Sequence, residues 1–242
     1  MPGTQELTAE QFAELVRPAI NRVQRGVRER ALAAGSADLP RRYGLPHPGL
    51  VDELRFVLPR EPLPRQAFAL AARYEPVGTV QAHVDELVAG GWLVASGDRF
   101  VPGPGTTAYL DELYDLHAAA TAPWYTGDLV PLLDLAATLL AAGTATGGPA
   151  YAVFTPPYER PGGPPAVKLY NRLAALRYHR SDAHAAAWAA RGLTAERIVA
   201  LPANHPLRQD IEADTNRRSA PPYETLTPDE RLRLLAGLAA LP

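Results

Sequence analysis

The stretch from Val77 to Tyr109 constrains the fold of this chain more than any other segment. Its first part spaces apolar side chains three and four residues apart, which predicts a helix with one packed face, formed by Val80, Val84, Leu87 and Val88. Gly90 and Gly91 supply the stop, because glycine readily takes the left-handed backbone that closes a helix C-terminus. Thr79 is predicted to cap the helix start.

A β-hairpin is predicted directly after this helix. Two short apolar segments, 92–95 and 99–101, flank a turn at Ser96-Gly97-Asp98. Prolines and glycines at 102–105 end the second strand, and Thr106 and Thr107 are predicted to cap the helix that follows.

Two shorter helices are predicted before the first one, over 50–58 and 65–74. Three helices, a tight turn and a hairpin in this order predict a winged helix-turn-helix domain over 46–110. The segment RQAFALAARYEPVGTVQAHVDELVAGGWLVASGDRFVPGPGTTAYLDEL resembles the winged-helix core of MarR-type regulators. The later segment LYNRLAALRYHRSDAHAAAWAARGLTAERI resembles a helix of an actinobacterial family on the same scaffold. These resemblances cover about 50–115 and 169–198 and imply a regulator that binds DNA.

The composition narrows the class of protein. Of the 242 residues, 47% are hydrophobic and 21% charged, so the chain can bury a core. Alanine and leucine abound, which favours a mainly α fold, a winged helix embedded in additional helices. There is no cysteine, and neither a membrane span nor a secretory signal is visible, so a cytoplasmic protein is expected. The net charge of −2 weakens the expectation of DNA binding, which usually needs a basic face.

Two further regions flank the winged helix. Residues 1–45 are predicted to form an amphipathic helix and a loop, with a capping box at Thr8 and Gln11. Residues 111–242 are predicted to be helical, with a long helix over 169–191, another helix start capped by Thr194, and a final helix opened by a capping box at Thr227. A glycine- and proline-rich loop is expected over 143–168, ordered because it contains aromatic residues.

The predicted DNA-contacting residues are Thr79, Gln81, His83 and Arg99, with double-stranded DNA as partner. Gln81 can pair with adenine, and Arg99 in the hairpin can reach a phosphate or the minor groove. The same helix carries Asp85 and Glu86 and no lysine or arginine, so the duplex backbone would repel it.

The segment RYHRSDAH, residues 177–184, is the second candidate site. As a catalytic site it would use His179, Asp182 and His184, with Asp182 orienting His179 as general acid or base. Arg177 or Arg180 would hold a carboxylate or enolate, and Arg180, His184 and Trp188 form a ladder at helical spacing. A metal site would use His179 and Asp182, which share a helix face, with or without His184, and a third ligand such as His117 would come from elsewhere. The structural alternative is a buried network that fastens two helices.

An aromatic pocket for a flat ligand is the third candidate. Its residues, with His117 of the polar set beside them, are Tyr114, Trp124, Tyr125, Tyr151, Phe154, Tyr158 and Tyr170. Motifs for nucleotides, serine hydrolysis and zinc are absent from the sequence, and no cofactor is predicted. Two functions therefore stay open: a homodimeric, ligand-responsive transcriptional regulator, or a winged-helix scaffold that binds or transforms a small molecule without binding DNA.

Overall fold

The described chain is mainly helical with one small antiparallel sheet, which confirms the predicted mainly α class. The structure, a computed structural model, describes residues 6–124 and 127–241, with the side chains of Val77 and Trp124 outside the description. The elements are α1 Ala9–Ala31, α2 Leu39–Tyr43, α3 Pro48–Leu54, β1 Leu63–Pro64, α4 Gln66–Ala71, α5 Val77–Ala89, β2 Leu93–Ser96, β3 Arg99–Pro102, α6 Pro104–Thr121, α7 Val130–Gly143, α8 Pro149–Phe154, α9 Pro165–Ala189, α10 Ala195–Ala200, α11 Pro206–Ser219, α12 Pro221–Glu224 and α13 Pro228–Ala240. A π-helical turn, Leu32–Ser36, follows α1, and a 3₁₀ turn, Ala122–Trp124, follows α6.

The predicted capping boxes open the first and last of these helices. The Thr8 hydroxyl accepts from the Gln11 backbone N–H, and the Gln11 side chain accepts from the Thr8 N–H. Thr227 and Glu230 exchange the same two bonds at α13, and Thr194 caps α10 as predicted. Because these caps need only residues three apart, sequence spacing was sufficient to find them.

The sheet joins the predicted hairpin to a strand that the sequence did not reveal. β3 lies in the middle, antiparallel to β2 on one side and to β1 on the other. Phe100 of β3 is opposite Ala95 and Leu63, and its buried ring meets the edge of Phe68 from α4 at 5.3 Å. β1 has only two residues in a proline-rich stretch, too few for an alternating pattern to show.

Two predicted helix caps were wrong. Helix α5 begins at Val77, and its N-cap is Pro76, whose carbonyl accepts the Thr79 N–H at 3.0 Å. Thr79 therefore lies inside the first turn. Helix α6 begins at Pro104, and the Thr106 hydroxyl instead donates to the Trp92 carbonyl, which ties α6 to the hairpin. A proline with its fixed φ precedes each threonine: Pro76 is the N-cap of α5, and Pro104 is the first residue of α6.

The expected loop over 143–168 contains a helix, so that prediction was wrong in part. Helix α8 occupies 149–154, and α9 starts at Pro165, four residues earlier than predicted. Glycine is required before α8, since a Cβ at Gly148 would lie 2.8 Å from Cγ of Asp182. The sequence pattern does not predict this short helix, because its first N–H groups donate to Asp182, a residue far along the chain.

Helix α9 connects the two main hydrophobic cores. The first core packs α9 against α1, α7 and α13, and the second packs it against the sheet and the helices around α5. Leu173 and Leu176 enter the first core, whereas Ala174 and Tyr178 enter the second. Polar residues on the remaining positions of α9 therefore lie where several elements meet. None of the helices in the described ranges is long and apolar enough to cross a membrane.

Candidate functional site

The exposed face of α5, with Arg99 of the hairpin, holds the predicted DNA contacts. We call it the α5 face, formed by Thr79, Gln81, His83, Asp85, Glu86 and Arg99. Gln81 donates to Asp85 at 2.8 Å, and the Arg99 guanidinium donates to the Pro62 carbonyl at 3.0 Å. The His83 ring stacks on His47 with centroids 3.6 Å apart. Three of the predicted DNA-contacting residues, Gln81, His83 and Arg99, thus already contact other groups of the chain.

The charge on the α5 face is mainly acidic. Asp85 and Glu86 are both exposed, and Glu86 contacts His47 with its carboxylate 2.7 Å from Nε2. Within α5 no lysine or arginine is present to offset them. Phosphate neutralisation supplies much of the free energy of DNA binding, so this face lacks the main contribution.

Asp182 belongs to a buried clamp. Its carboxylate contacts the Arg73 guanidinium at 2.5 Å and accepts backbone N–H groups of Tyr151 at 2.8 Å and Ala150 at 3.3 Å. The Arg73 and Asp182 side chains are 10% and 6% exposed, so the pair is shielded from solvent. Arg73 also donates to the Ser181 carbonyl. This clamp fastens α9 to the start of α8 and to the chain after α4, in place of the predicted Asp182–His179 pair.

His179 and His184 have separate partners. His179 is buried, with Nε2 2.9 Å from the Thr146 hydroxyl, and its ring meets the edge of Tyr151 at 5.2 Å. His184 has Nδ1 2.6 Å from the Tyr74 hydroxyl. Burial lowers the pKa of both imidazoles, so both are neutral at neutral pH.

Trp188 lies one helical turn after His184 on α9, and its side chain is close to Tyr74, the partner of His184. Trp188 packs against a third, small core formed by Ala187, Ile198 and Ile211. Over the described ranges, no group of three or more histidine, aspartate or glutamate side chains is arranged to hold a metal ion. His117 lies on α6, inside the aromatic cluster described next.

The predicted aromatic residues surround a buried arginine. Arg55 is 4% exposed, donates to the Tyr170 hydroxyl at 3.2 Å, and lies over the Phe56 ring at 3.9 Å. Tyr114 donates to the Arg55 carbonyl, and His117 meets the edge of Tyr170 at 5.2 Å. Burial, with the nearby Arg55 charge, lowers the pKa of His117 to about 3. Arg55 could not be identified from sequence, because the residues around it lie on α6, on α9 and in the turn after α3.

Four of the predicted aromatic side chains are buried: Tyr114, Tyr151, Phe154 and Tyr170. Tyr158 packs on Tyr114 at 5.6 Å, and its carbonyl accepts from Asn171. Phe154 stacks on Tyr178 at 4.1 Å, and the Tyr151 hydroxyl donates to the Leu140 carbonyl. Two members of the predicted set, Tyr125 and the side chain of Trp124, lie outside the described residues.

An open cleft lies on the other side of α9, between α1 and the α11–α12 junction. It encloses about 130 Å³, well below the roughly 300–1,000 Å³ of a pocket for a drug-sized ligand. We call it the α1–α9 cleft; its lining residues include Arg17, Ile20, Leu176, Arg177, Arg180 and Tyr223. Two of these, Arg177 and Arg180, were predicted as carboxylate-binding residues, whereas Arg17 was not.

The α1–α9 cleft carries more positive than negative charge. Arg17 and Arg180 both donate to the same oxygen of Glu212, each at 3.0 Å. Burial and the charge of Arg17 lower the pKa of Arg180, as expected where cations lie close together. Arg177 is exposed, and its guanidinium has no hydrogen-bond partner in ranges 6–124 and 127–241. Two guanidinium groups thus share one carboxylate, and a third, that of Arg177, lines the same cleft without a carboxylate partner among the described residues.

The wall of the cleft also contains two neutral hydroxyl groups, of which that of Ser219 already donates to the Asn216 carbonyl. Ser219 accepts from Arg180 at 3.1 Å, and burial raises the pKa of Tyr223 to about 12, so its phenol stays protonated. Such a set of donors can bind an anion by several charge-assisted bonds. Comparison of the chain with protein-family models, curated proteins and solved structures gave no match.

Proposed function

We propose that this chain is a winged-helix protein whose function is to bind a small organic anion in the α1–α9 cleft. Two features support the winged-helix assignment: the sheet order β1-β3-β2, and the position of α5 directly before the β2–β3 hairpin. Fold alone does not define function, so the functional part of the proposal rests on the cleft.

The observation that carries the proposal is the unpaired guanidinium of Arg177 next to two arginines that share one carboxylate, Glu212. Like charges held together are unfavourable unless an anion joins them. A carboxylate placed between Arg177 and Arg180 would accept two or more charge-assisted hydrogen bonds. The favoured role is binding, because His179 and Asp182 are committed to partners within the fold.

The apolar part of the cleft indicates the rest of the ligand. Ala13, Ile20, Leu176 and Pro222 lie beside the arginines in the lining. A ligand with a carboxylate at one end and a compact apolar body would bury the body against these side chains. We therefore propose a monocarboxylate of about the size of benzoate rather than a multiply charged nucleotide.

DNA binding is the less favoured function for the same electrostatic reason. The α5 face presents Asp85 and Glu86, whereas the cationic cluster of the α1–α9 cleft involves α1 and α9. A duplex placed against α5 would meet two carboxylates, and Arg99 would first have to leave the Pro62 carbonyl. The proposal therefore keeps the scaffold and assigns ligand binding to the cleft.

Thermal unfolding with sodium benzoate, and with the uncharged analogue benzamide, tests the proposal. A ligand that binds only the folded state raises Tm in a saturable way. We expect benzoate to raise Tm, benzamide to have no effect, and Arg177→Gln to weaken the response. Arg25→Gln is the matched control, since Arg25 is an exposed α1 residue that does not line the cleft. Equal responses to benzoate and benzamide, or a full response in Arg177→Gln, would refute the proposal.

A further inference from the structure

Glu212 lies between the α1–α9 cleft and a partly buried histidine, His184. Its Oε2 atom accepts from both Arg17 and Arg180. Its Oε1 atom lies 3.8 Å from Nε2 of His184, which is too far for a hydrogen bond. That Nε2 atom is buried and makes no hydrogen bond to any residue the structure describes. A buried polar atom without a partner is costly, so a small movement of Glu212 would satisfy it.

His184 is in turn bonded to the chain segment that precedes α5. The Tyr74 hydroxyl lies 2.6 Å from Nδ1 of His184, and the two rings are 5.9 Å apart. Tyr74 is three residues before the start of α5 at Val77. Its neighbour Arg73 is held by the Asp182 clamp. The connection between α4 and α5 is therefore attached to α9 at two adjacent side chains.

We infer that an organic anion in the α1–α9 cleft takes Arg17 and Arg180 from Glu212, and that Glu212 then accepts a hydrogen bond from His184 and so stabilises the Tyr74 anchor of helix α5. This inference rests on the proposed function, because it describes how that cleft acts on the rest of the molecule. It makes the α4–α5 connection the part of the protein that responds to the ligand.

Glu212 changes its hydrogen-bond partner because the ligand carboxylate binds its two donors, Arg17 and Arg180. The ligand carboxylate replaces Glu212 as acceptor for the two guanidinium groups, so the Glu212 carboxylate needs other donors. The Nε2–H of His184 is near, and closing the gap from 3.8 Å to a bond of about 2.8 Å requires a shift of about 1 Å. Burial lowers the pKa of His184, so the ring is neutral with one N–H. Placing that proton on Nε2 leaves Nδ1 free to accept from the Tyr74 hydroxyl.

Hydrogen–deuterium exchange of the intact protein, with and without benzoate, measures the expected response. The backbone N–H groups of Thr79 and Val80 bond to the Pro76 carbonyl, so a firmer Tyr74 anchor slows their exchange. We expect a slowing of about 3- to 10-fold over residues 75–80, the worth of one net hydrogen bond. Tyr74→Phe should lose this slowing and still bind benzoate, because Tyr74 does not line the cleft.

A double variant tests the change of hydrogen-bond partner of Glu212 without any ligand. Arg17→Gln with Arg180→Gln removes both donors from Glu212, as the anion would. The ¹⁵N-resolved NMR signal of the His184 Nε2–H should then move downfield and exchange more slowly with water, as a new hydrogen bond requires. Arg17→Gln alone, at a partly exposed position, should give a smaller change of the same sign if the double variant does not fold.

The outcomes separate this inference from the proposed function. Benzoate binding that leaves exchange at 75–80 unchanged, or a slowing that persists in Tyr74→Phe, overturns the inference and leaves the cleft as the binding site. Absence of benzoate binding overturns the proposed function, and the His184 signal in the variants then tests on its own whether Glu212 changes its hydrogen-bond partner. An unchanged His184 signal in those variants overturns the inferred change of partner.

Discussion

The α5 face and the α1–α9 cleft carry opposite charge. The α5 face presents Asp85 and Glu86, and its polar side chains contact their own neighbours. In the cleft, Arg17 and Arg180 share the carboxylate of Glu212, and Arg177 has no hydrogen-bond partner among the described residues. The α5 face thus lacks the positive charge that DNA binding needs, whereas the cleft has positive charge that an anionic ligand could neutralise.

This difference shows that element order and surface chemistry must be assessed separately. The order of helices and strands predicts the scaffold, because each element follows from local spacing. The ligand depends on which charges lie together in space, and Arg17 and Arg180 are 163 positions apart in the sequence. If the two surfaces have distinct roles, substitutions at each should change different properties of the protein.

Loss of the Asp182 clamp should have the largest effect, and it should be on stability. Asp182→Ala leaves the Arg73 charge buried without its carboxylate and frees two N–H groups of α8. We expect the free energy of unfolding to fall by about 3–5 kcal/mol in urea denaturation. A decrease below about 1 kcal/mol would return Asp182 to the candidate catalytic residues.

The pH dependence of stability should show that His117 belongs to the core. The pKa of His117 is lowered to about 3 by burial and then by Arg55, whereas an unfolded histidine titrates near 6.5. The unfolded state therefore binds the proton first, and the free energy of unfolding falls as pH drops from 6.5 towards 3. The expected slope is about 1.4 kcal/mol per pH unit for this residue, with His179 and His184 acting in the same direction.

His117→Gln is the control for that measurement, because it removes one titrating group. The slope of unfolding free energy against pH, measured between pH 7 and 5, should become shallower in this variant. An identical slope in the two proteins would mean that His117 is accessible to protons in the folded state and that the aromatic cluster is open after all.

Arg180→Gln should weaken benzoate binding by about tenfold or more, since a hydrogen bond to a charged group contributes about 1.5–3 kcal/mol. Isothermal titration calorimetry gives the ratio of Kd values directly. Arg25→Gln, which alters an exposed arginine away from the cleft, should leave Kd unchanged. Equal losses in the two variants would point to a general effect of surface charge and remove the contrast between the surfaces.

The smallest effect is expected on the α5 face. Asp85→Arg replaces a repulsive charge by one that can neutralise a phosphate, so weak, salt-dependent binding to duplex DNA should increase. A fluorescence anisotropy titration at low salt should show a gain of several-fold over the unmodified protein, with the benzoate Kd unchanged. Tight, salt-dependent DNA binding by the unmodified protein would contradict the roles assigned to the two surfaces.

Local features of the fold were predictable from sequence, and contacts between distant segments were not. The capping boxes at Thr8 and Thr227 and the hairpin turn at Gly97 depend on residues within a few positions, and all three are present. Helix α8 was missed because Asp182, more than 30 residues later, stabilises its start. Proline starts displaced the caps expected at Thr79 and Thr106.

The candidate site was likewise predictable in its local part and not in its contacts between distant segments. The segment 177–184 was singled out for its density of polar residues, and Arg177 and Arg180 do line the cleft. The helix then sends its polar side chains in different directions: Asp182 to Arg73, His179 to Thr146, and Arg180 to Glu212. Spacing along a helix gives the direction of each side chain, but it does not identify the element packed there. Arg17 and Glu212 could be found only from the structure.

A crystal structure with 4-bromobenzoate shows directly whether the α1–α9 cleft binds an organic carboxylate, because bromine is located by its anomalous scattering. We expect one bromine peak in the α1–α9 cleft, near Ile20 and Leu176. The carboxylate should contact Arg177 and Arg180, and Glu212 should be turned towards His184. An empty cleft at a concentration that saturates binding in solution, or a bromine peak beside the α5 face, would contradict this expectation.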